Sequence, residues 1–286
     1  MSKNYIQNLV GCFGYPVEEN PSCIINNAAF EELGINWLYL TLEAAPEKLE
    51  DCLHALKTFN MKGCNFTIPH KINVLKHLDE LSPEASIIGA CNTMKHDNGK
   101  LIGTNTDGKG FVKALIDDAK IEIEGKRMLF LGAGGAARAM SVESALKGAA
   151  EITIASRTEA KGKELVDLIN SRTNSKAELL LWDGEISIPS DIDILANATN
   201  VGMFPEVDNC PNIDYSSISS SLLVTDAVIN PPKTKFLTNA ESRGAKTLDG
   251  LGMLVYQAAI AIEFWTGQYP DCDVMKNAIM KEFNLG

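Results

Sequence analysis

Three short clusters of polar residues in the first part of the chain carry side chains suited to proton transfer. They are Asn65–Lys71 (NFTIPHK), Gly89–Thr93 (GACNT) and Asn105–Gly108 (NTDG). Lys71 and Asp107 are a candidate proton-transfer pair, because a lysine can serve as a base when a neighbouring carboxylate joins the relay. Taken alone, Lys71 is more typical of a solvated lysine at the start of a helix, and Asp107 of a common Asp-Gly turn. Their occurrence with Asn65, Thr67 and Asn92 instead favours a site for a small polar molecule.

A glycine-rich turn follows about 25 residues later, between an apolar strand and an Ala-rich helix. Gly132 permits a tight turn, Gly134 lets the backbone approach a pyrophosphate, and the small Ala137 allows the helix to pack closely on the strand. The N–H groups at the start of the helix suit phosphates. In this strand–turn–helix context the pattern predicts dinucleotide binding.

The end of the next strand should contact the adenosine ribose of such a dinucleotide. An acidic residue there suits the 2′-hydroxyl of NAD, whereas an arginine suits the 2′-phosphate of NADP. The strand ends at Ser156, and Arg157 and Lys161 favour NADP. Glu159 acts against NADP, because it can repel a phosphate or hold a ribose hydroxyl. NADP is therefore the expected cofactor, with NAD as the alternative.

The composition excludes several other classes of protein. The net charge of −11 argues against nonspecific binding to nucleic acid or to an anionic membrane, because both need a basic surface. The N-terminus lacks the apolar segment of a signal peptide, and the longest apolar stretch is too short to span a bilayer. Seven scattered cysteines and four histidines favour free thiols and no metal site. We expect a cytoplasmic protein.

Strands alternate with helices along the whole chain, which predicts an α/β protein with mostly parallel sheets. Among the expected helices are 47–59, 71–78 and 108–118. We expect two domains. Residues 1–108, completed by C-terminal helices at about 250–286, form a substrate-binding and catalytic domain, and residues 109–249 form a Rossmann-type NAD(P)-binding domain.

Five motifs in this order resemble those of the shikimate dehydrogenase family, including its quinate/shikimate dehydrogenase branch. The family patterns are N-x-T-x-P-x-K, G-A-x-N-T, N-T-D-G, N-A-T-x-x-G-M and D-G-x-x-M-L-x-x-Q. The matching segments are Asn65–Lys71, Gly89–Thr93, Asn105–Gly108, Asn197–Met203 and Asp249–Gln257. The resemblance covers essentially the whole chain.

The resemblance implies a role for each site residue. Lys71 and Asp107 fall on catalytic positions, and Asp107 also on a substrate-binding one. The other implied substrate-binding positions are Asn20, Ser22, Thr67, Asn92 and Gln257. The implied cofactor-binding positions are Gly132, Ala133, Gly134, Gly135, Ala136, Ser156, Arg157, Glu159, Lys161, Thr199, Ala227 and Gly250.

Two departures from the family pattern concern the substrate. After Gly-x-Pro the family usually has Ser-x-Ser-Pro or Ser-x-Thr-Pro, whose hydroxyls bind the substrate carboxylate. Here Asn20 replaces the first hydroxyl and Ser22 keeps the second. The tyrosine that usually follows the fifth nucleotide-domain strand is Ile229.

The resemblance implies an NAD(P)-dependent enzyme that interconverts shikimate and 3-dehydroshikimate. Quinate or another polyhydroxy carboxylate is the alternative substrate, and a dinucleotide-binding regulator without turnover is the alternative class. The expected partner is a small polyhydroxy carboxylate, with no nucleic acid and no membrane. A monomer or a homodimer is expected.

Overall fold

The structure is a computed structural model, and it describes residues 5–284. The first four residues, which contributed to the expectation of no signal peptide, lie outside this range. The chain forms two compact units. Unit 2 is Asp107–Leu254, and unit 1 consists of the described residues on either side of it. No helix within the described range is long and apolar enough to cross a membrane.

Fourteen strands and ten α-helices make up the described chain. The strands are β1 (Asn8–Gly14), β2 (Trp37–Glu43), β3 (Gly63–Phe66), β4 (Glu80–Leu81), β5 (Thr93–Asp97), β6 (Lys100–Thr104), β7 (Arg127–Leu131), β8 (Glu151–Ser156), β9 (Lys176–Leu181), β10 (Ile186–Ser187), β11 (Ile194–Asn197), β12 (Ile213–Asp214), β13 (Leu223–Asp226) and β14 (Lys246–Leu248). The helices are α1 (Ser22–Glu32), α2 (Leu49–Thr58), α3 (His70–Asn73), α4 (Pro83–Ile88), α5 (Asp107–Asp117), α6 (Gly135–Leu146), α7 (Glu159–Arg172), α8 (Lys235–Ser242), α9 (Leu251–Thr266) and α10 (Cys272–Glu282).

Unit 1 is built on a six-stranded sheet in the order β2-β1-β3-β5-β6-β4. Strands β1, β2 and β3 are parallel, as the alternation of strands and helices predicts. Strand β5 runs antiparallel to both β3 and β6. The turn between β5 and β6 is Asn98-Gly99, with φ of 49° and 83°, the left-handed conformations that a tight hairpin turn requires. The sequence predicts the parallel strands but not this antiparallel hairpin.

Helix α10 and most of α9, from Val255 onward, belong to unit 1. Helix α10 packs on α1, and the indole Nε1 of Trp265 in α9 donates a 3.0 Å hydrogen bond to the carbonyl of Met94 in β5. The Trp265 ring is 4% exposed, so its bond ties α9 to the centre of the sheet. The C-terminal helices therefore pack on the part of unit 1 formed by the first hundred residues of the chain.

Unit 2 contains a six-stranded parallel sheet in the order β14-β13-β11-β7-β8-β9. From β7 the chain first adds β8 and β9 on one side, and then returns to add β11, β13 and β14 on the other. This is the Rossmann strand order, and the direction reverses between β7 and β11. Ligands of such sheets bind at the carboxyl ends of the strands at this point. The predicted Rossmann-type fold is confirmed.

Two predicted helices differ in detail. The expected helix 71–78 is the four-residue α3 followed by a 3₁₀ turn, Val74–His77. The Lys71 carbonyl accepts a 2.8 Å hydrogen bond from the amide of Cys91, so it is not simply the acceptor for a continuing α-helix. The expected helix 47–59 begins with a 3₁₀ turn, Pro46–Lys48, before α2.

Candidate active site

Two loops of unit 1 lie side by side at the carboxyl ends of β1 and β3. The Thr67 amide donates a 3.0 Å hydrogen bond to the Phe13 carbonyl, and the Tyr15 amide donates a 2.9 Å bond to the Ile68 carbonyl. These bonds hold the segment that leads to Asn20 against the segment that leads to Lys71. The loop after β1 is thereby placed where the carboxyl ends of the parallel strands converge.

The Asn20 side chain has a defined orientation. Its carbonyl Oδ1 accepts a 2.9 Å hydrogen bond from the amide of Ser22, which forms a local turn just before α1. Its NH₂ group has Cys12 Sγ at 3.8 Å, a weak contact with sulfur. Because the acceptor end is used by the backbone, the donor end is available to a ligand.

A chain of buried hydrogen bonds runs behind this loop. The Tyr39 phenol donates to Asn65 Oδ1 at 2.8 Å, and Asn65 Nδ2 donates to Thr93 Oγ1 at 2.9 Å. Burial raises the pKa of the Tyr39 phenol well above its ordinary value, so the phenol stays neutral and keeps its donor proton. The chain therefore fixes Asn65, the first residue of the first polar cluster, in one orientation.

The second and third polar clusters are joined through Asn92 and Thr106. Asn92 Oδ1 accepts a 2.7 Å bond from the Thr106 amide, and Asn92 Nδ2 donates to Thr106 Oγ1 at 3.0 Å. Thr106 Oγ1 is in turn 3.4 Å from Gln257 Oε1 on α9. The structure thus brings Asn92 and Gln257 together through Thr106.

Lys71 and Asp107 occupy ordered backbone positions beside these groups. Lys71 is half-buried in α3, where its carbonyl bonds the Cys91 amide next to Asn92. Asp107 is the first residue of α5, is 8% exposed, and directly follows Thr106 in the chain. Asp107 is also the first residue of unit 2, so its pairing with Lys71 stays a prediction.

The glycine turn of unit 2 lies at the reversal between β7 and β11. Gly132 has a φ of +111°, and a Cβ there would lie 2.9 Å from Thr199 Cγ2. At Gly134 a Cβ would meet nothing within 4 Å, so protein packing does not require this glycine. A side chain at this position would fill the space in front of the amino end of α6, so the glycine leaves room for a ligand there. The residues of the turn, Gly132–Ala136, fit a dinucleotide phosphate.

Two cationic side chains lie just beyond the end of β8, one in the following turn and one in the first turn of α7. Arg157 and Lys161 are exposed, and neither makes an ion pair with another described residue. Glu159 is the first residue of α7, a position where a carboxylate stabilises the amino end of a helix. The Ser156 hydroxyl donates to the Thr158 carbonyl at 2.9 Å, so it shapes the turn.

A buried carboxylate lies at the end of β13, next to the predicted nicotinamide position Ala227. Asp226 accepts hydrogen bonds from Asn197 Nδ2 at 2.9 Å, from the Val228 amide at 3.0 Å and from Thr234 Oγ1 at 2.7 Å. Burial nevertheless raises the pKa of Asp226 from 3.8 to about 6. The Ala227 amide bonds the Asn197 carbonyl at 2.9 Å, so the ends of β11 and β13 form one unit.

Gly250 packs against the same strand end. A Cβ at Gly250 would lie 2.6 Å from the Val228 carbonyl oxygen and 3.1 Å from Ile229 Cγ2. The predicted cofactor positions Ala227 and Gly250 are therefore neighbours, as the resemblance implies, and Ile229 lies beside them.

Comparison with known proteins identifies the family. Residues 12–94 match the shikimate dehydrogenase substrate binding domain, and residues 250–280 match the shikimate 5′-dehydrogenase C-terminal domain. A shikimate dehydrogenase (NADP(+)) of Desulforamulus reducens is 43% identical over 96% of each chain. The chain belongs to the shikimate dehydrogenase family.

Two solved structures of high similarity have different names. A ligand-free 5-ketofructose reductase of Gluconobacter sp. strain CHM43 has a TM-score of 0.92 and 40% identity, over 98% of this chain and 100% of that one. A shikimate dehydrogenase in complex with NADP⁺ has a TM-score of 0.89 and 38% identity, over 97% and 96%. The fold of the family is therefore preserved along the whole chain, and its members differ in the substrate they are named for.

Several residues that organise the candidate site were not singled out from the sequence. Tyr39 and Thr106 connect the polar clusters, and Asp226 with Thr234 organises the end of β13. The Thr106 position had a signal, since it lies within the Asn-Thr-Asp-Gly motif. Tyr39 had none, because a tyrosine in an apolar strand is typical of any sheet. Among the described residues no cluster of three or more His, Cys, Asp or Glu side chains could hold a metal ion.

Proposed function

We propose that this protein interconverts shikimate and 3-dehydroshikimate with NADP(H). The observation that carries the proposal is the buried network that orients Asn65, Asn92 and Gln257 and ends at Thr106, the residue before Asp107. Such a network can fix the hydroxyls of a small ring. Family membership and the dinucleotide turn at Gly132 support the same reaction.

The chemistry requires separate handling of a hydride and a proton. Bound NADP⁺ supplies the hydride acceptor when shikimate is oxidised. We assign the hydroxyl proton to Lys71, which accepts it or holds the hydroxyl while Asp107 accepts it. Thr67, Asn92 and Gln257 are assigned to orient the ring, and Asn20 and Ser22 to contact the carboxylate end.

We further propose NADP(H) as the preferred cofactor. Arg157 is an exposed cation directly after β8, where the ribose is expected, and Lys161 is an exposed cation in the first turn of α7. The position of Glu159 at the first turn of α7 supports this choice, since a helix start explains that carboxylate without a ribose.

The expected setting is a cytoplasmic monomer or homodimer with a small-molecule substrate and no nucleic-acid or membrane partner. Quinate or another polyhydroxy carboxylate remains the alternative substrate. Two observations favour a second candidate, the reduction of 5-ketofructose: the high similarity to the reductase of Gluconobacter, and Asn20 in place of a serine.

A panel of substrates with each cofactor tests the proposal. Purified protein should oxidise NADPH in the presence of 3-dehydroshikimate, and should use NADH less efficiently in kcat/KM. Binding of NADP(H) without reduction of 3-dehydroshikimate or 5-ketofructose by NADPH, and without oxidation of quinate by NADP⁺, would instead support the regulator.

A further inference from the structure

We propose that a cavity at the amino-terminal end of the unit 1 sheet binds a small aromatic carboxylate. The cavity has a volume of about 310 Å³, which is at the lower end of the range for small-molecule sites. Its lining includes two tryptophans, two lysines, a histidine and an aspartate, namely Trp37, Trp265, Lys62, Lys95, His96 and Asp97. All six lie in unit 1, and none of them has a role in the reaction proposed above.

The cavity and the candidate active site lie at opposite ends of β3. Lys62 directly precedes β3, and Lys95 in β5 is paired with Gly63, the first residue of β3. Trp37 is the first residue of β2, which is parallel to β1 and hence to β3. The loops of the candidate active site begin where β1 and β3 end. Because β3 spans four residues, or about 13 Å, a ligand in the cavity does not occupy the substrate position.

Two indole rings give the cavity a preformed aromatic wall. Trp265 is buried, and its bond to the Met94 carbonyl fixes the position of its ring. A Cβ at Gly63 would lie 2.5 Å from Trp265 Nε1, so this glycine makes room for the indole. Trp37 is half-buried, and its ring centroid is 5.8 Å from that of Phe30. Because both indoles are already held in place, a flat ring can pack on them at little cost in conformational entropy.

Positive charge exceeds negative charge in the lining. Lys62 and Lys95 are both half-buried, and neither makes an ion pair with another described residue. The His96 amide donates a 2.9 Å hydrogen bond to the Lys62 carbonyl, so the segment before β3 is fixed beside β5. Asp97 is the one carboxylate among the described lining residues, and it is exposed. Two lysines beside one carboxylate therefore favour an anion at this place in a chain of net charge −11.

These features together select the chemistry of the ligand. Two amines can share a carboxylate, whose two oxygens accept several hydrogen bonds. Such charge-assisted bonds are stronger than neutral ones. The indoles provide apolar and aromatic surface for a planar ring. An inorganic anion would leave the indoles without contact, and an uncharged ring would leave the lysines without a counter-ion, whereas a single ring that carries one carboxylate uses both.

Titration with benzoate tests the site, with tryptophan fluorescence as the readout because two of the three tryptophans line the cavity. Benzoate should bind saturably with a Kd of about 1 mM or lower. The double variant Lys62→Met, Lys95→Met keeps the apolar stems of the side chains and removes both charges, so it should weaken benzoate binding by about tenfold or more. Asp97→Asn removes a like charge and should strengthen binding by about two- to fivefold, a gain that a loss of folding cannot produce.

Two related probes separate the charge from the ring. Benzamide has the ring without the charge, and acetate has the charge without the ring. Each should bind about tenfold more weakly than benzoate or worse, because each loses one of the two kinds of contact. Equal affinity for either probe would overturn the inference, since the cavity would then recognise only a ring or only an anion.

Two lysines elsewhere in unit 1 provide matched controls. Lys76→Met makes the same exchange at an exposed lysine outside the cavity, and Lys71→Met makes it in the candidate active site. Both should leave the Kd for benzoate unchanged. Binding that is lost in Lys71→Met and kept in the double variant would place benzoate in the candidate active site and overturn the inference, as would the absence of saturable binding. None of these outcomes depends on turnover of 3-dehydroshikimate, so the proposed function is tested separately.

Discussion

Asp226 should make the stability of the nucleotide-binding unit depend on pH. Burial raises the pKa of this carboxyl from 3.8 to about 6, although three hydrogen bonds from Asn197, Val228 and Thr234 favour the charged form. A rise of this size corresponds to about 3 kcal/mol of preference for the protonated form in the folded protein. The stabilisation is complete below pH 3.8 and is lost as the pH rises through 6.

The magnitude in an accessible pH range follows from these two pKa values. Between pH 5 and pH 7.5 the unfolded carboxyl is already ionised, whereas the folded carboxyl still holds part of its proton, so over this range Asp226 lowers the free energy of unfolding by about 1.4 kcal/mol. The Asp226→Asn variant keeps an oxygen for two of the three donors but cannot ionise. The wild-type free energy of unfolding should therefore fall relative to that of the variant by this amount.

Urea unfolding at several pH values, followed by the fluorescence of Trp182 in unit 2, measures the difference. Asp214 provides a control of opposite sign, because hydrogen bonds from Ser216 lower the pKa of this exposed carboxyl. Relative to Asp214→Asn, the wild type should lose stability as the pH falls. A wild-type free energy of unfolding that stays constant relative to that of Asp226→Asn, or that rises relative to it as the pH increases, would refute the reasoning, since it would mean that the hydrogen bonds match or outweigh the effect of burial.

The other predictions concern catalysis and the cofactor. Lys71→Ala should lower kcat by about 10²–10⁴-fold and leave the Kd for NADPH unchanged, and a variant that retains most of its kcat at saturating substrate would remove Lys71 from the proton relay. Arg157→Ala should weaken NADPH binding by about 1.5–3 kcal/mol, as fluorescence titration would show, and spare NADH. A wild-type preference for NADH in kcat/KM would contradict this and identify Glu159 as the ribose contact. Gly132→Ala should weaken NADPH binding and lower the free energy of unfolding by about 1–3 kcal/mol, because its φ of +111° and a contact of 2.9 Å with Thr199 both resist a side chain. Unchanged binding and stability would show that the turn is not constrained.

Much of the fold could be predicted because its signals are local. Strand β7, the glycine turn and α6 follow from an apolar run, glycines and an Ala-rich segment, which fix a strand–turn–helix at Gly132. The β5–β6 hairpin was missed although Asn98-Gly99 is a strong turn signal, because polar residues such as Lys95 within β5 and Lys100 at the start of β6 weaken the alternating pattern. The early end of α3 depends on a bond from Cys91, twenty residues beyond Lys71, and no local signal reports it.

The candidate site was predictable in its residue types and less so in its connections. Motifs indicate Asn65, Asn92 and Gln257, but the links through Tyr39 and Thr106 join residues that are far apart in the chain. Such links depend on strand register, since Asn65 pairs with Thr93 only once β3 and β5 are aligned. Register is a property of the folded sheet, so spacing along the sequence does not provide it.

The orientation of Asn20 shows how a substitution acquires its meaning from the fold. From the sequence alone, the amide could present either a donor or an acceptor to the substrate, with opposite consequences for a carboxylate. The Ser22 amide resolves the choice, because it uses the acceptor to close the turn before α1. Lys71, by contrast, is the lysine that the family pattern has at this position, and its backbone carbonyl is hydrogen-bonded to the Cys91 amide. Because Lys71 and the Asn20 loop lie on different segments, we expect a change at Asn20 to alter which molecule is bound without altering the proposed reaction.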